Sequence, residues 1–368
     1  MEQGGVESVV CNLNRVVVGA GWRSVVISKG GRIAERIAAD GGRHVALDLK
    51  SKNPLTYFTR ALKLRRALRT LAAADGEIVV CAHSRVPAWL FVWANRALGL
   101  KWITYAHGAN SVSRYSAVMT RGDVVIAPSK FLADFLLANY GAQDGSLGER
   151  ICVVSPCVDL ERFDPSKIDK AFVEGKRREW GIDPGMFVAM SVGRISPVKG
   201  FANVLRDFAK TMRSPSKFVI VGGADRRHAG HLEELKALAR ELGVEDRVVF
   251  AGAQAKMPEC LSLADEVVVG NTEKPESFGL SVVEALAMGK PVRLLREFGG
   301  AAEILAAVDG RMAEEEEGGD SKRTTASRRE AVRALYGLGV MAAKSLEVYK
   351  SLVENSKRTT ARGKKPRR

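Results

Sequence analysis

Two carboxylates, Glu276 and Glu284, stand on either side of a Phe278-Gly279-Leu280 turn. A carboxylate pair at fixed spacing can do acid–base work or hold hydroxyl groups. The segment follows a strand-like run and a polar loop, and it leads into a helical run ended by Gly289 and Pro291. Gly279 therefore falls near a helix N-terminus, where unpaired backbone N–H groups and the helix dipole favour an anion. Eight residues of helix would separate the carboxylates by about 12 Å, whereas glycosidase pairs stand only about 5–9.5 Å apart. The spacing thus suits two hydroxyl-binding posts at the ends of an extended ligand. A capping Glu followed by a solvated helical Glu is the plainer alternative, and spacing alone leaves it open.

A second group lies upstream in Val192-Gly193-Arg194-Ile195-Ser196-Pro197-Val198-Lys199-Gly200, a strand end running into a helix. Arg194 offers a planar fork and Lys199 a point charge, a combination suited to a diphosphate. No Asp-x-Asp occurs in the chain, so nothing advertises a metal-bound diphosphate, and two fixed cations can do that work. His107, in Tyr105-Ala106-His107-Gly108, ends a strand-like run, with Ser129 and Ser84-Arg85 in second rank. His228 and His231 lack a third ligand and read as solvated helix residues. The expectation is no metal and no cofactor.

The segment Glu276-Ser277-Phe278-Gly279-Leu280-Ser281-Val282-Val283-Glu284-Ala285 resembles the hallmark of the retaining glycosyltransferases of family 4, of the GT-B architecture. Thr272-Glu273-Lys274-Pro275, Ala287-Met288-Gly289, Pro291-Val292 and Gly299-Gly300-Ala301 extend the likeness. It spans nearly the whole chain and is strongest over 192–303. The resemblance implies that Glu284 hydrogen-bonds the ribose hydroxyls of a nucleotide-diphosphate sugar and that Glu276 holds hydroxyls of the transferred sugar. The backbone amides of Phe278, Gly279 and Leu280 would lie near sugar and phosphate, and Gly299 and Gly300 would line the same pocket beside Gly193. Arg194 and Lys199 would neutralise the departing diphosphate. Gly4-Gly5 resembles the family's Gly-rich loop facing the acceptor, and the family also places a histidine where His107 stands. Attack on the front face, with the donor phosphate helping to deprotonate the acceptor hydroxyl, leaves no protein base to name. Two departures are Cys157, where a Gly commonly precedes Val-Asp, and Gly270, where a Ser is usual.

These residues need a scaffold that brings strand ends together. Short β-branched runs alternate with helical patterns along the chain, the signature of an α/β fold with parallel sheets. In the first half the strand-like runs are 23–28, 44–49, 77–82, 101–106, 123–127 and 150–155; in the second they are 186–192, 217–221, 247–251, 266–269 and 291–295. The alternation stops around 159–170, where Pro165 appears, and this marks a hinge. The reading is therefore two Rossmann-like domains: 1–160 on the acceptor side and 161–325 for the donor. A helical segment at 326–356 and a basic, disordered tail at 357–368 follow. Ligands in such sheets bind at the carboxyl ends of the strands, so the site is expected in the cleft between the domains. After Gly310 the acidic run reads as a loop. The first domain opens at Gly4-Gly5 with no strand before it, so its first central strand is expected to be missing.

Length and composition bound the rest. A chain of 368 residues fits two domains, and 46% hydrophobic with 27% charged residues is ordinary for a globular protein. No run of eighteen apolar residues and no leader pattern is visible, and five scattered cysteines suit a reducing compartment. The expected location is the cytoplasm, with peripheral attachment to the inner face of the cell membrane. The charge of +15 points to phosphorylated ligands or an anionic lipid surface. The basic stretch 59–71, with Arg60, Lys63, Arg65, Arg66 and Arg69, reads as an amphipathic helix with a cationic outer face. Expected partners are a nucleotide sugar, a glycan or lipid-linked acceptor of lipopolysaccharide type, and anionic membrane. Nucleic acid is not expected, since no binding motif accompanies the charge. Two competing readings are an epimerase or phosphorylase of the same architecture, and a truncated paralogue that binds sugar nucleotide without turnover.

Overall fold

The computed structural model describes residues 5–50, 53–212, 214–224, 228, 230–271, 273–316 and 325–362. The chain divides into two compact units, Met1–Cys157 with Leu338–Arg368, and Val158–Gly337. Each is built on parallel sheets. The second unit thus starts at Val158, just before the expected hinge. The helical segment expected at 326–356 belongs to neither unit as a whole.

In the first unit the elements run α1 (Gly5–Gly19), β1 (Val25–Ser28), α2 (Arg32–Ala39), β2 (Arg43–Ala46), α3 (Tyr57–Asp75), β3 (Val80–Ala82) and α4 (Arg85–Asn95). Then come β4 (Trp102–Tyr105), β5 (Val124–Ala127), α5 (Lys130–Tyr140), α6 (Leu147–Arg150) and β6 (Ile151–Val153). Strands β1 and β2 pair in a sheet of their own, and β3-β4-β5-β6 form a second parallel sheet. No strand precedes α1 among the described residues. Strand β4 is wholly buried because both faces are covered. Trp102 packs with Leu64, Leu68 and Phe91 from α3 and α4. Ile103 and Tyr105, on the opposite face by the two-residue period, pack with Val9 and Leu13 of α1 and Met341 of the C-terminal helix.

The second unit runs α7 (Lys170–Glu179), β7 (Phe187–Val192), α8 (Phe201–Thr211), β8 (Ser216–Val221), α9 (His231–Glu241), β9 (Val248–Gly252) and α10 (Met257–Ser262). It continues through β10 (Glu266–Val269), α11 (Leu280–Ala287), β11 (Val292–Leu294), α12 (Gly300–Glu316) and α13 (Thr325–Tyr336). Along β7 and β8 the faces alternate: Val188, Met190, Val219 and Val221 join one core, while Ala189, Phe218 and Ile220 join the other. The strand order is β11-β10-β7-β8-β9. The chain therefore winds outward from β7 to β9, then returns to the other side of β7 for β10. Such a reversal leaves a crevice beyond the carboxyl ends of the two strands that flank it.

Three sequence expectations need correction. The acidic run after Gly310 does not begin a loop, because α12 continues through it to Glu316. The long C-terminal helix is interrupted at Gly337, whose Cβ would lie 2.6 Å from the Arg333 carbonyl oxygen. This gives α13 in the second unit and α14 (Leu338–Arg362) in the first. The tail expected as disordered from 357 is helical as far as Arg362, and 363–368 lie outside the described residues.

Candidate functional site

The reversal between β7 and β10 assembles the donor candidates. Gly193 leaves β7 with φ +154 and Arg194 follows it, exposed. Residues 197–199 make one 3-10 turn, and Gly200, at φ +65, turns the chain into α8. Beyond β10, Gly270 and Gly200 meet backbone to backbone. A Cβ on Gly270 would stand 2.3 Å from the Gly200 oxygen, and one on Gly200 would stand 1.9 Å from the Gly270 oxygen. A serine at Gly270 would force this backbone contact to shift. Asn271, which sequence reasoning missed, ties the two loops further. Its side-chain amide donates to the carbonyls of Val198 at 2.5 Å and Lys274 at 3.2 Å. An amide next to a strand end is its only sequence signal.

This juxtaposition brings Lys199 and Glu276 together in an ion pair, Lys199 Nζ donating to Glu276 Oε1. Both side chains stay partly open to solvent, at 25% and 19% exposure, so a ligand can reach them. Two helix N-termini face the same stretch. Gly279 caps α11 in the left-handed region at φ +115, and Gly300 opens α12 while its N–H donates to the Glu276 carbonyl at 2.8 Å. Close approach explains the glycines at 299 and 300. A Cβ at Gly299 would lie 2.4 Å from the Pro275 Cβ, and one at Gly300 would lie 2.6 Å from the Phe278 Cα. The Phe278 side chain is not free for a ligand. It is 7% exposed and meets the Tyr336 ring edge-on at 5.7 Å, leaving its backbone and that of Leu280 for any contact.

Glu276 is not helical, since α11 begins at Leu280. The separation of about 12 Å expected for eight helical residues therefore does not apply. Glu284 sits in the second turn of α11. Burial pushes its carboxyl up to about 7, with the Arg162 charge pulling the other way. Arg162 is a second residue that sequence reasoning passed over.

The acceptor-side candidates fall in the first unit and do not all gather. Gly4 lies outside the described residues, and Gly5 is the first residue of α1 rather than part of a loop. The Ser129 hydroxyl caps α5, accepting from Leu132 N–H at 3.1 Å, and Ser129 is buried. That local duty accounts for it without a ligand. Arg85 donates to Ser116 Oγ at 3.0 Å and lies over the Tyr115 ring. His107 does end a strand, two residues beyond β4, and borders a small cavity with Val9, Pro128, Val154 and Met341. It is hydrogen-bonded to His83, at 3.0 Å between His83 Nδ1 and His107 Nε2. Burial pulls the His107 imidazole down to about 4. That of His83 also falls well below its ordinary value, through burial and the neighbouring ring. His231 pairs with Glu234. Among the described residues no three His, Cys, Asp or Glu are grouped as a metal site.

Comparison with known proteins places both units in one class of protein. Residues 172–317 match the family model "Glycosyl transferases group 1", and 3–162 match "Glycosyltransferase Family 4". A D-inositol 3-phosphate glycosyltransferase of Rhodococcus erythropolis is 35% identical over 181 residues, which are 48% of this chain and 38% of the relative. The chain therefore spans less than half of that relative's length. Among solved structures, a glycosyltransferase of Rickettsia africae superposes with a TM-score of 0.78 at 22% identity, covering 96% of this chain and 97% of the other. The Anabaena protein HepE, solved with UDP-glucose, gives 0.73 at 19% identity, covering 95% and 97%. With the two family models together covering most of the chain and a parallel-sheet architecture in each unit, the chain belongs to the glycosyltransferases of GT-B fold.

Proposed function

We propose that the chain transfers a sugar from a nucleoside-diphosphate sugar to a hydroxyl of a glycan or lipid-linked acceptor, with retention of configuration. The observation that carries this reading is the Lys199–Glu276 pair at the reversal of strand order, framed by the N-termini of α11 and α12. A cation and a carboxylate that already touch are matched to a ligand with a negative diphosphate joined to a sugar rich in hydroxyls. On binding, Lys199 and Arg194 take the diphosphate, and Glu276 takes the sugar hydroxyls. Glu284 takes the ribose. The bond between the sugar C1 and the phosphate oxygen breaks, the acceptor oxygen joins C1 from the same face, and its proton passes to the departing phosphate. The developing negative charge is met by fixed cations and helix dipoles, which is work this chain's residues can do without a protein nucleophile.

For the acceptor, α3 supports a lipid-linked substrate of cell-envelope type. Leu55 and Phe58 are 87% and 58% exposed beside its start, while Lys63, Arg66 and Arg69 stay exposed along it. Arg60 is not part of that cationic face. It is buried, donating to the Thr56 and Asn53 carbonyls. Each Lys or Arg near an anionic surface contributes about 1 kcal/mol. The chain is expected to co-sediment with anionic vesicles at low salt, and a chain left in the supernatant would remove the membrane part of the reading. No described helix is long and apolar enough to cross a membrane.

The donor part is tested by thermal shift with UDP and UDP-glucose, the ligand in the Anabaena structure, and with other nucleoside diphosphates and their sugars. At about a hundred times Kd a ligand stabilises the folded state by about 2.7 kcal/mol. No shift with any of them would rule out the transferase.

A further inference from the structure

We infer that His83 is a positioning residue for His107: it occupies His107 Nε2, so that His107 meets a ligand through Nδ1 alone. This rests on the proposed transfer for its purpose, but the pairing itself can be tested without it. The two histidines stand at the carboxyl ends of neighbouring parallel strands. Ala82 is level with Thr104 across β3 and β4, which sets His83 beside Tyr105 and brings His107 within reach. The three rings lie nearly parallel. His83 and Tyr105 stack at 4.5 Å and 16°, His83 and His107 at 5.2 Å and 21°. The far end of the stack is pinned by the C-terminal helix, where the hydroxyls of Tyr105 and Tyr349 are hydrogen-bonded in the buried core. The plane of His107 is thus set by a stack anchored at its far end by the Tyr105–Tyr349 hydrogen bond.

Two neutral imidazoles sharing one hydrogen bond must place their protons in concert. If His83 Nδ1 donates, His107 keeps its proton on Nδ1. If His107 Nε2 donates, His83 keeps its own on Nε2. Either way both rings are the same tautomer, and His107 offers a ligand a single nitrogen of fixed character. A histidine whose partner is absent can flip by half a turn and present either nitrogen, which dilutes the productive orientation.

The first test is a two-bond 1H–15N correlation spectrum of the full chain, labelled at its five histidines, at pH 7.5. His83 and His107 are expected as single, matching tautomers, and His83→Ala should convert His107 to an averaged signal. Opposite tautomers, or a His107 signal unchanged in His83→Ala, would overturn the inference. The second test uses release of UDP from UDP-glucose. An Asn amide overlays the imidazole Nδ1 and a Gln amide overlays Nε2. His107→Asn should therefore retain about tenfold more kcat than His107→Gln. His83→Ala should lower kcat about tenfold with KM nearly constant, and His83→Asn should restore most of it. Equal loss in the two His107 variants, or a His83→Asn no better than His83→Ala, would also overturn it. A wild-type chain with matching tautomers that turns over no sugar nucleotide sinks the transferase reading and leaves the pairing standing.

Discussion

The two units hold their key side chains by opposite means. In the second unit, Lys199 and Glu276 are charged, partly exposed and paired to each other, on loops that meet through backbone at Gly200 and Gly270. In the first, His83 and His107 are held neutral by burial within a stack of rings. An ion pair that solvent can reach is open to exchange, and breaking it leaves two charged groups ready for a ligand that carries the complementary ones. A stack of uncharged rings has no such partners to exchange and can only aim a ligand. Under the proposed function, donor binding would proceed by partner exchange in the second unit, whereas the first would supply an uncharged contact.

The largest effect expected from this contrast follows from removing a charge in the exchanging pair. Lys199→Ala should lower turnover of UDP-glucose by about 10²–10³-fold, the cost of losing one preorganised group that meets developing charge. Folding should change less than turnover, because the pair is still open to solvent on part of its surface. Parallel kinetics and thermal melts on this variant check both halves. A variant that melts far lower and keeps its turnover would show the pair to be structural.

The backbone contact beneath the pair gives the next effect. Gly270→Ser puts a side chain against the Gly200 oxygen and the Val204 methyl, at 2.3 and 2.6 Å for the Cβ alone. Overpacking of this kind costs about 1–3 kcal/mol, or about 2–4 °C in Tm for each kcal/mol in a unit of this size. Weaker UDP binding should accompany it as the loops part. Unchanged melting would mean that the loops yield freely, and the comparison with the rigid stack would lose its ground.

Much of this was legible in the sequence, and the exceptions have physical causes. Buried parallel strands read as near-continuous apolar runs, so 186–192 and 217–221 stood out beside β7 (Phe187–Val192) and β8 (Ser216–Val221). The Glu276 to Glu284 segment was recognisable as a motif. Its geometry was not, because the first four residues are non-helical and only the structure shows where α11 begins. His83 was missed although Ala82-His83 and Ala106-His107 end consecutive strands with the same pair of residues, a repeat that marked them as neighbours. Arg60 could not have been found: a guanidinium reads as solvated until the carbonyls that hold it are placed.

The smallest effect concerns pH and separates the units most cleanly. The His83 and His107 rings stay neutral near pH 7, so of the two sites it is the second unit's that should titrate there, at Glu284, whose carboxyl burial raises to about 7. Its folded value lies above its unfolded one. Its contribution to stability is therefore complete below about pH 4.5 and is lost as pH rises through about 7. Ribose hydroxyls donate to a carboxylate and favour its ionised form, so UDP binding should release about half a proton at pH 7. Calorimetry in buffers of different ionisation enthalpy measures that release directly. In Glu284→Gln the release should vanish, and affinity for UDP should fall about tenfold or more, as for loss of a charged hydrogen-bond acceptor. If proton release survives in Glu284→Gln but disappears in His107→Asn, the titrating group lies in the first unit, and the division between a charged, exchanging site and a neutral, fixed one is reversed.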